Sequence, residues 1–266
     1  MASTTTSVVA TEGQHVGLVG EVLRDIARGG IAGAVAGIAI AGLGGRIVMR
    51  LAAIIVPTSL GLFTENGNQI GDITVSGSLA LIFGGLFFGL SGGVIWVVVS
   101  PWIPGSGLRR AILSTPIAIA LTAVGLIQGS NPDFPILQHD GRVVAMLLAL
   151  VGLAGFALAL LDGWLYHRLP RAGRSGPADS LYAVLTLAGA LLIFPIVLQA
   201  YLAAALPLGL ALVAVGLATL AWWALRLMGR DRPPSRLVVA GRAALLIAVM
   251  LGTLELGPDV ASAMGI

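Results

Sequence analysis

Residues 29–56 read GGIAGAVAGIAIAGLGGRIVMRLAAIIV, an apolar run that carries two arginines, Arg46 and Arg50, near its far end. The run is longer than the roughly 20 apolar residues that an α-helix needs to cross a bilayer. Arginine is rare in such helices, because placing one at the centre costs about 2.5 to 3.5 kcal/mol on insertion scales. The stretch therefore predicts a membrane-spanning helix whose two guanidinium groups need a partner or a function.

The composition of the whole chain points the same way. Of its 266 residues, 57% are hydrophobic and only 10% are charged, which is far from the usage of an ordinary soluble domain. The apolar runs are continuous and do not alternate, so they favour helices over a membrane β-barrel. We therefore predict an all-α, polytopic integral membrane helical bundle. Its surroundings would be the lipid bilayer, and the expected location is the plasma membrane, the inner membrane of a bacterium.

The order of apolar and polar stretches predicts about seven spans and three regions. Residues 1–28 would form a tail and an amphipathic helix, lying in the interface or extending span one. Residues 29–257 would form the transmembrane domain, and residues 258–266 a short C-terminal tail. The predicted spans cover about 31–56, 75–100, 108–128, 142–166, two helices within 181–225, and 237–256. Gln199, Tyr201 and Pro207 mark the predicted turn between spans five and six.

The distribution of arginine predicts the orientation. If the N-terminus is cytoplasmic, the inner loops and helix ends hold most of the arginines, as the positive-inside rule expects. These are Arg24, Arg28, Arg109, Arg110, Arg168, Arg171, Arg174, Arg226, Arg230, Arg232 and Arg236, against Arg142 in the outer loops. The five tryptophans also fall near the predicted inner boundary, as in an aromatic belt. We therefore predict the N-terminus inside and the C-terminus outside.

Two ridges of glycine run along the first two predicted spans. Gly33, Gly37 and Gly45 lie on one helix face of span one, and Gly85, Gly89 and Gly93 lie on one face of span two. Small residues spaced by four allow another helix to approach closely. The ridges predict tight helix packing within the chain or with other membrane subunits.

The charged residues near the outer side suggest a polar cluster. Arg46 and Arg50 share a helix face, and Glu255 lies at the matching depth of the last span. Glu65 and Asp72 can reach the same layer from the first outer loop. Together they form a candidate anion-binding or gating site. Alternatively, both arginines extend to lipid headgroups, or one ion pair joins the first and last spans.

Asp162 and Arg242 are candidates for a structural ion pair. Asp162 lies near the inner end of span four, and Arg242 lies about two turns into the last span. A carboxylate in an apolar helix needs a cation, so Asp162 is expected to pair with Arg242 or with Arg168.

One tetrapeptide resembles a catalytic motif. The sequence Gly89-Leu90-Ser91-Gly92 is similar to the GxSG motif of rhomboid-type intramembrane proteases, which implies a serine nucleophile beside a histidine on another helix. The three histidines, His15, His139 and His167, all lie outside the predicted spans. Asp133, His139 and Asp140 could hold a cation at the outer surface, but a solvated turn explains the same residues.

Other chemistry is not indicated by the sequence. There is no cysteine, no nucleotide-binding glycine motif and no pair of histidines at one membrane depth, so we predict no metal site and no cofactor. The arginines are not interleaved with aromatic residues in a dense cluster, so nucleic-acid binding is not predicted.

These observations give a leading interpretation and two alternatives. The leading interpretation is a non-catalytic protein, an accessory or structural subunit of a membrane assembly. The first alternative is a transporter or channel for a small solute or anion, using Arg46, Arg50 and Glu255 at the outer leaflet. The second is an intramembrane enzyme that uses Ser91.

Overall fold

The structure, a computed structural model, is a bundle of long helices. It describes residues 3–65, 67, 69–170, 176, 180–189, 191, 206–230 and 232–266, with side chains from residue 19 onward apart from that of residue 206. The α-helices are α1 (Ser3–Ala36), α2 (Gly45–Ile55), α3 (Val75–Val99), α4 (Gly107–Leu126), α5 (Asp133–Ile136), α6 (Gly141–Arg168), α7 (Ser180–Gly189), α8 (Leu206–Leu227) and α9 (Ser235–Ala263).

Six helices in the described ranges are long and apolar enough to cross a membrane. They are Val19–Ile55, Val75–Trp102, Gly107–Leu126, Gly141–Arg168, Pro207–Leu227 and Ser235–Ala263. The predicted all-α, multi-pass membrane fold is therefore confirmed.

The first span combines three helical segments. A π-helix, Gly37–Gly44, joins α1 to α2, and a 3₁₀ turn, Pro57–Ser59, follows α2. Helix α1 continues without a break from Ser3 into the span, so residues 16–28 are continuous with span one. At the other end of the chain, α9 passes through Pro258 and ends at Ala263, inside the region predicted as a tail.

The contacts between glycines define the directions of the helices. Gly29 lies against Gly93, and Gly37 lies against Gly85, so α3 runs antiparallel to span one. Helix α4 starts where α3 ends, and α9 runs parallel to α4, because Gly252 contacts Ala120. We call the side that holds Arg24 the N-terminal face and the side that holds Met264 the C-terminal face.

Helices α6 and α8 meet at the N-terminal face. Helix α6 ends at this face, where Arg24 donates a hydrogen bond to the carbonyl of Leu169. Helix α8 begins at the opposite face, since its last turn returns to the N-terminal face and places Arg226 beside Asp25. The fifth predicted span falls in the range between these two helices. Most of that range, including Gln199 and Tyr201, lies outside the described residues.

The core of the bundle is centred on Trp102, which follows α3. Its ring is 1% exposed, and its Nε1 donates to Thr219 Oγ1 on α8 at 2.8 Å. The same hydroxyl donates to the carbonyl of Val98 at 2.7 Å. Trp96 is also buried, so these two tryptophans are core residues and not members of an interfacial belt. The indole ring of Trp102 contacts α8 at Thr219 and α9 at Gly241.

Candidate functional site

The largest polar cluster lies at the N-terminal face and joins α1 to α6 and α8. Arg28 Nε donates to Asp162 Oδ1 at 2.6 Å, and Arg28 Nη1 donates to Asp25 Oδ1 at 2.8 Å. Arg226 Nη1 donates to the other oxygen of Asp25 at 3.2 Å. Arg28 and Asp162 are both buried. We call Arg24, Asp25, Arg28, Asp162 and Arg226 the N-face cluster.

Arg24 completes the N-face cluster through backbone groups. Its Nη2 donates to the carbonyls of Tyr166 and Leu169 at 2.9 and 3.0 Å, and so closes the exposed end of α6. The ring of Tyr166 lies 5.6 Å from the Arg24 guanidinium and 5.2 Å from that of Arg28. Such distances permit cation–π attraction to both arginines. The cluster thus fixes three helices at one level of the bundle.

The partner of Asp162 differs from the partners expected from the sequence. Asp162 pairs with Arg28, whereas Arg242 is exposed on α9 and Arg168 lies over the ring of Trp164 at 4.9 Å. Arg28 was not predicted as this partner from the sequence. A signal is present in the sequence: Asp25 and Arg28 lie three residues apart on the polar face of the helical pattern just before the apolar run.

Arg46 and Arg50 lie beneath the first loop of the C-terminal face, on the first two turns of α2. Arg50 Nη1 donates to the carbonyl of Gly71 at 2.6 Å. Arg46 Nη1 and Nη2 donate to the carbonyls of Asp72 and Thr74 at 3.3 and 3.4 Å. Gly71 has a φ of +87°, and this left-handed conformation turns the loop so that its carbonyls face α2. We call Arg46 and Arg50 with the carbonyls of Gly71, Asp72 and Thr74 the loop-one site.

The acidic residues expected near these arginines do not pair with them. Within the described residues no ion pair joins Arg46 or Arg50 to a carboxylate. The side chains of Glu65 and Asp72 are exposed, and Glu255 lies on α9, which packs against α4 and α8 and not against α2. The predicted cluster of Arg46, Arg50 and Glu255 is therefore not assembled in this structure.

Ser91 lacks the surroundings of a catalytic nucleophile among the described side chains. It is buried on α3, and its hydroxyl donates to the carbonyl of Phe87 one turn earlier at 3.0 Å. His167 stacks edge-on with Tyr166, and His139 contacts the carbonyl of Ala263 through Nδ1. Both histidines lie at the ends of the bundle. The side chain of His15 lies outside the described residues.

The acidic and imidazole groups of the second C-terminal-face loop serve the local fold. Asp133 Oδ1 accepts from the backbone N–H of Glu65 at 2.7 Å and so joins two loops. Asp140 caps α6 by accepting from the N–H of Arg142 at 2.8 Å. The hydrogen bond from the Arg142 guanidinium lowers the pKa of Asp140 to about 2. No group of carboxylates and histidines suited to a metal ion occurs in the described part of the chain.

The two glycine ridges pack on each other inside the chain. A Cβ atom added at Gly33 would overlap the carbonyl oxygen of Gly89, and one added at Gly85 would overlap that of Gly37. Gly45 stands apart and meets only the side chain of Leu81. Apart from Gly45, the two ridges therefore face each other within the chain.

The fold and its polar groups define a multi-pass integral membrane protein of helical type. No protein-family model, no curated protein and no solved structure matches this chain.

Proposed function

We propose that this protein is a non-catalytic component of a membrane assembly. One observation carries the proposal: most of the ionisable and hydroxyl side chains that are buried in the described spans form hydrogen bonds to other side chains or to backbone carbonyls. Asp162 is bound to Arg28, Arg46 to loop carbonyls, Ser91 to its own helix and Thr219 to Trp102. Groups used in this way hold the described helices together, which supports a structural role.

The outward surface of α3 supports a role in association. A Cβ atom added at Gly84 or Gly92 would meet no described atom within 4 Å, and Phe88 between them is 71% exposed. The three residues are spaced by four, so they lie along one helix face. Gly84 and Gly92 have no side chains on either side of the Phe88 ring. Another helix can therefore approach this face more closely than it could if leucine or valine stood at the two positions.

The test is gentle extraction of the native protein followed by mass analysis of everything that stays bound. We expect a stoichiometric complex with other membrane proteins. The Gly84→Leu and Gly92→Leu variants should lose the partner while keeping the fold. Gly216→Leu is the matched control, because Gly216 on α8 also faces open space. The proposal would be contradicted if the extracted chain carries no bound protein. It would also be contradicted if the complex persists equally in all three variants.

A second candidate function, transport of a small anion, is favoured by the π-helix Gly37–Gly44. This segment lies in the middle of span one, facing Gly85 and Ile82 of α3. π-Helical segments are frequent at functional sites, and transporters interrupt helices near the membrane midplane. Purified protein in vesicles would then take up chloride or phosphate faster than protein-free vesicles. Uptake equal in the two preparations would exclude this candidate.

A further inference from the structure

The loop-one site carries two positive charges that no carboxylate neutralises among the described residues. Arg46 is 8% exposed, and both of its guanidinium hydrogen bonds go to neutral carbonyls at 3.3 and 3.4 Å. Charge-assisted bonds to an anion are shorter, about 2.7 to 2.9 Å. Its Nε is buried and has no hydrogen-bond partner. Arg46 is therefore incompletely satisfied by its own chain.

A helix N-terminus adds further positive potential at the same place. Helix α3 begins at Val75, with Thr74 as its N-cap, and Nη2 of Arg46 occupies the space that a Cβ atom of residue 77 would take. The N-terminus of an α-helix behaves like about half a positive charge and has unpaired N–H groups. The N–H of Gly77 in this turn is bound by Thr74 Oγ1 at 3.2 Å. The Arg46 guanidinium lies against the same turn, and the positive charge of Arg46 and that of the helix N-terminus together favour an anion at this place.

Arg50 makes the site accessible from outside the bundle. Its side chain is exposed, and only Nη1 is engaged, with the carbonyl of Gly71. The remaining N–H groups of this guanidinium are able to bind a second acceptor. The nearest acidic side chains on the loop, Asp72 and Glu65, are exposed and form no ion pair with either arginine.

The depth of the site matches the headgroup layer of a bilayer. Helix α3 has 25 residues, which corresponds to about 37 Å at about 1.5 Å per residue. The hydrocarbon layer is about 30 Å thick, so the first turn of α3 lies at its edge. Arg46 is level with that turn, at the depth where lipid phosphates lie.

We propose that the loop-one site binds a phosphate-type oxyanion, held by Arg50 and Arg46 beside the N-terminus of α3. Guanidinium forks match the geometry of phosphate oxygens, and a helix N-terminus is a common site for the same group. The phosphate is either that of an anionic lipid headgroup or free phosphate from the aqueous side. Glu255 has no part in this site.

The first experiment measures the thermal unfolding midpoint of the full chain in an uncharged detergent. Inorganic phosphate is titrated against chloride at constant ionic strength. We expect a saturable rise of the midpoint with phosphate, and in Arg50→Gln at least about a tenfold higher phosphate concentration for half the effect. Arg142→Gln is the matched control, since this arginine is exposed on the same face and already paired with Asp140. It should respond like the wild type.

The second experiment separates the two sources of phosphate. The protein is placed in nanodiscs of phosphatidylcholine with or without phosphatidylglycerol, and the lipid retained after extraction is identified by mass analysis. Retention of phosphatidylglycerol that is lost in Arg50→Gln, without a response to free phosphate, identifies the headgroup. A response to free phosphate without lipid retention identifies the free ion. If neither measurement differs between wild type and Arg50→Gln, the proposal is wrong. Arg50→Gln is chosen because its exposed position makes it less disruptive than Arg46→Gln.

Discussion

The bond between Arg28 and Asp162 joins residues that are far apart in the sequence and buried in the bundle. Two charges taken out of water are stable only while they remain paired, because each alone would keep a large desolvation cost. Their mutual attraction offsets this cost, and the pair adds little net stability beyond it. The pair therefore specifies which faces of α1 and α6 meet.

We expect Asp162→Ala to destabilise the bundle by about 3 kcal/mol, because it leaves Arg28 with one carboxylate where it had two. The double variant Arg28→Met with Asp162→Leu should recover most of this loss, since both charges of the buried pair are removed and Asp25 keeps Arg226. Unfolding in a denaturing-detergent titration gives both values. Arg168→Met is the control, because Arg168 only covers the ring of Trp164. Equal losses in the single and double variants would show that side-chain volume, and not charge, matters at this position.

Asp140 predicts a pH dependence at the start of α6. Its pKa is lowered to about 2, chiefly by the hydrogen bond from the Arg142 side chain. An aspartate in an unfolded chain has a pKa of about 3.9, so the stabilisation is present above that value and is lost as pH falls through about 2. A pH titration of the thermal midpoint should show this step between about pH 4 and 2. Asp140→Asn should lack it, and an unchanged step in that variant would assign it to another group.

Single residues were the hardest level to predict from the sequence. The need of Asp162 for a cation was clear from its apolar surroundings, but its partner depended on helix rotation, which one sequence does not specify. The same limit applies to Glu255. Equal depth in the membrane suggested contact with Arg46, yet α9 lies on a different side of the bundle.

At the scale of the element, α1 and α3 are held at backbone contact by glycine alone. The carbonyls of Gly33, Gly37 and Gly89 lie where a larger residue on the opposite helix would place its Cβ. Such close approach gives extensive van der Waals contact, the main attraction between helices in lipid. The pair α1 and α3 is therefore the rigid centre of the bundle.

We expect Gly89→Val to disrupt this helix pair, because its side chain would meet the backbone of Gly33 and Gly37 and neither can move aside. The cost should exceed the roughly 1 to 3 kcal/mol typical of an overpacked core. Gly216→Val, on a face with open space, should leave the yield of monodisperse protein unchanged. Gel filtration after extraction compares the two. If Gly89→Val elutes as monodisperse protein with the yield of the wild type, the backbones of α1 and α3 are not in direct contact.

The helices themselves followed well from the sequence. Long apolar runs, the prolines after α3 and the polar loops place most bounds of the described spans within a few residues. The exceptions are the first span, which begins at Val19 and not near residue 31, and the last span, which ends at Ala263 and not near residue 256. The π-helix was not foreseen, because its glycines and alanines are equally compatible with an α-helix. Whether the glycine ridges face each other or another subunit was also open, since spacing alone names no partner.

At the scale of the whole molecule, the two ends of the chain lie on opposite faces. Helices α4 and α9 run parallel, and Gly129 after α4 contacts Ser262 near the end of α9. The N-face cluster lies at the other end of the bundle. The first and last described spans therefore have their outer ends on opposite faces.

A reporter fused after Ile266 should therefore lie across the membrane from one fused before Met1. The excess of arginine in the loops of the N-terminal face predicts that this face is cytoplasmic. Protease protection in sealed vesicles measures both positions. Two reporters on the same side would contradict the arrangement of α4 and α9, whichever side that is.

The π-helix Gly37–Gly44 determines how the second half of span one is rotated relative to the first half. Its i→i+5 hydrogen bonds turn the chain by less per residue than the roughly 100° of an α-helix, so an α-helix of the same length in its place would rotate everything after it. While α1 keeps its glycine contacts, that rotation would turn Arg46 and Arg50 away from the carbonyls of Gly71 and Thr74. Both arginines would remain in the sequence, yet the angular phase that joins them to the first loop would be lost.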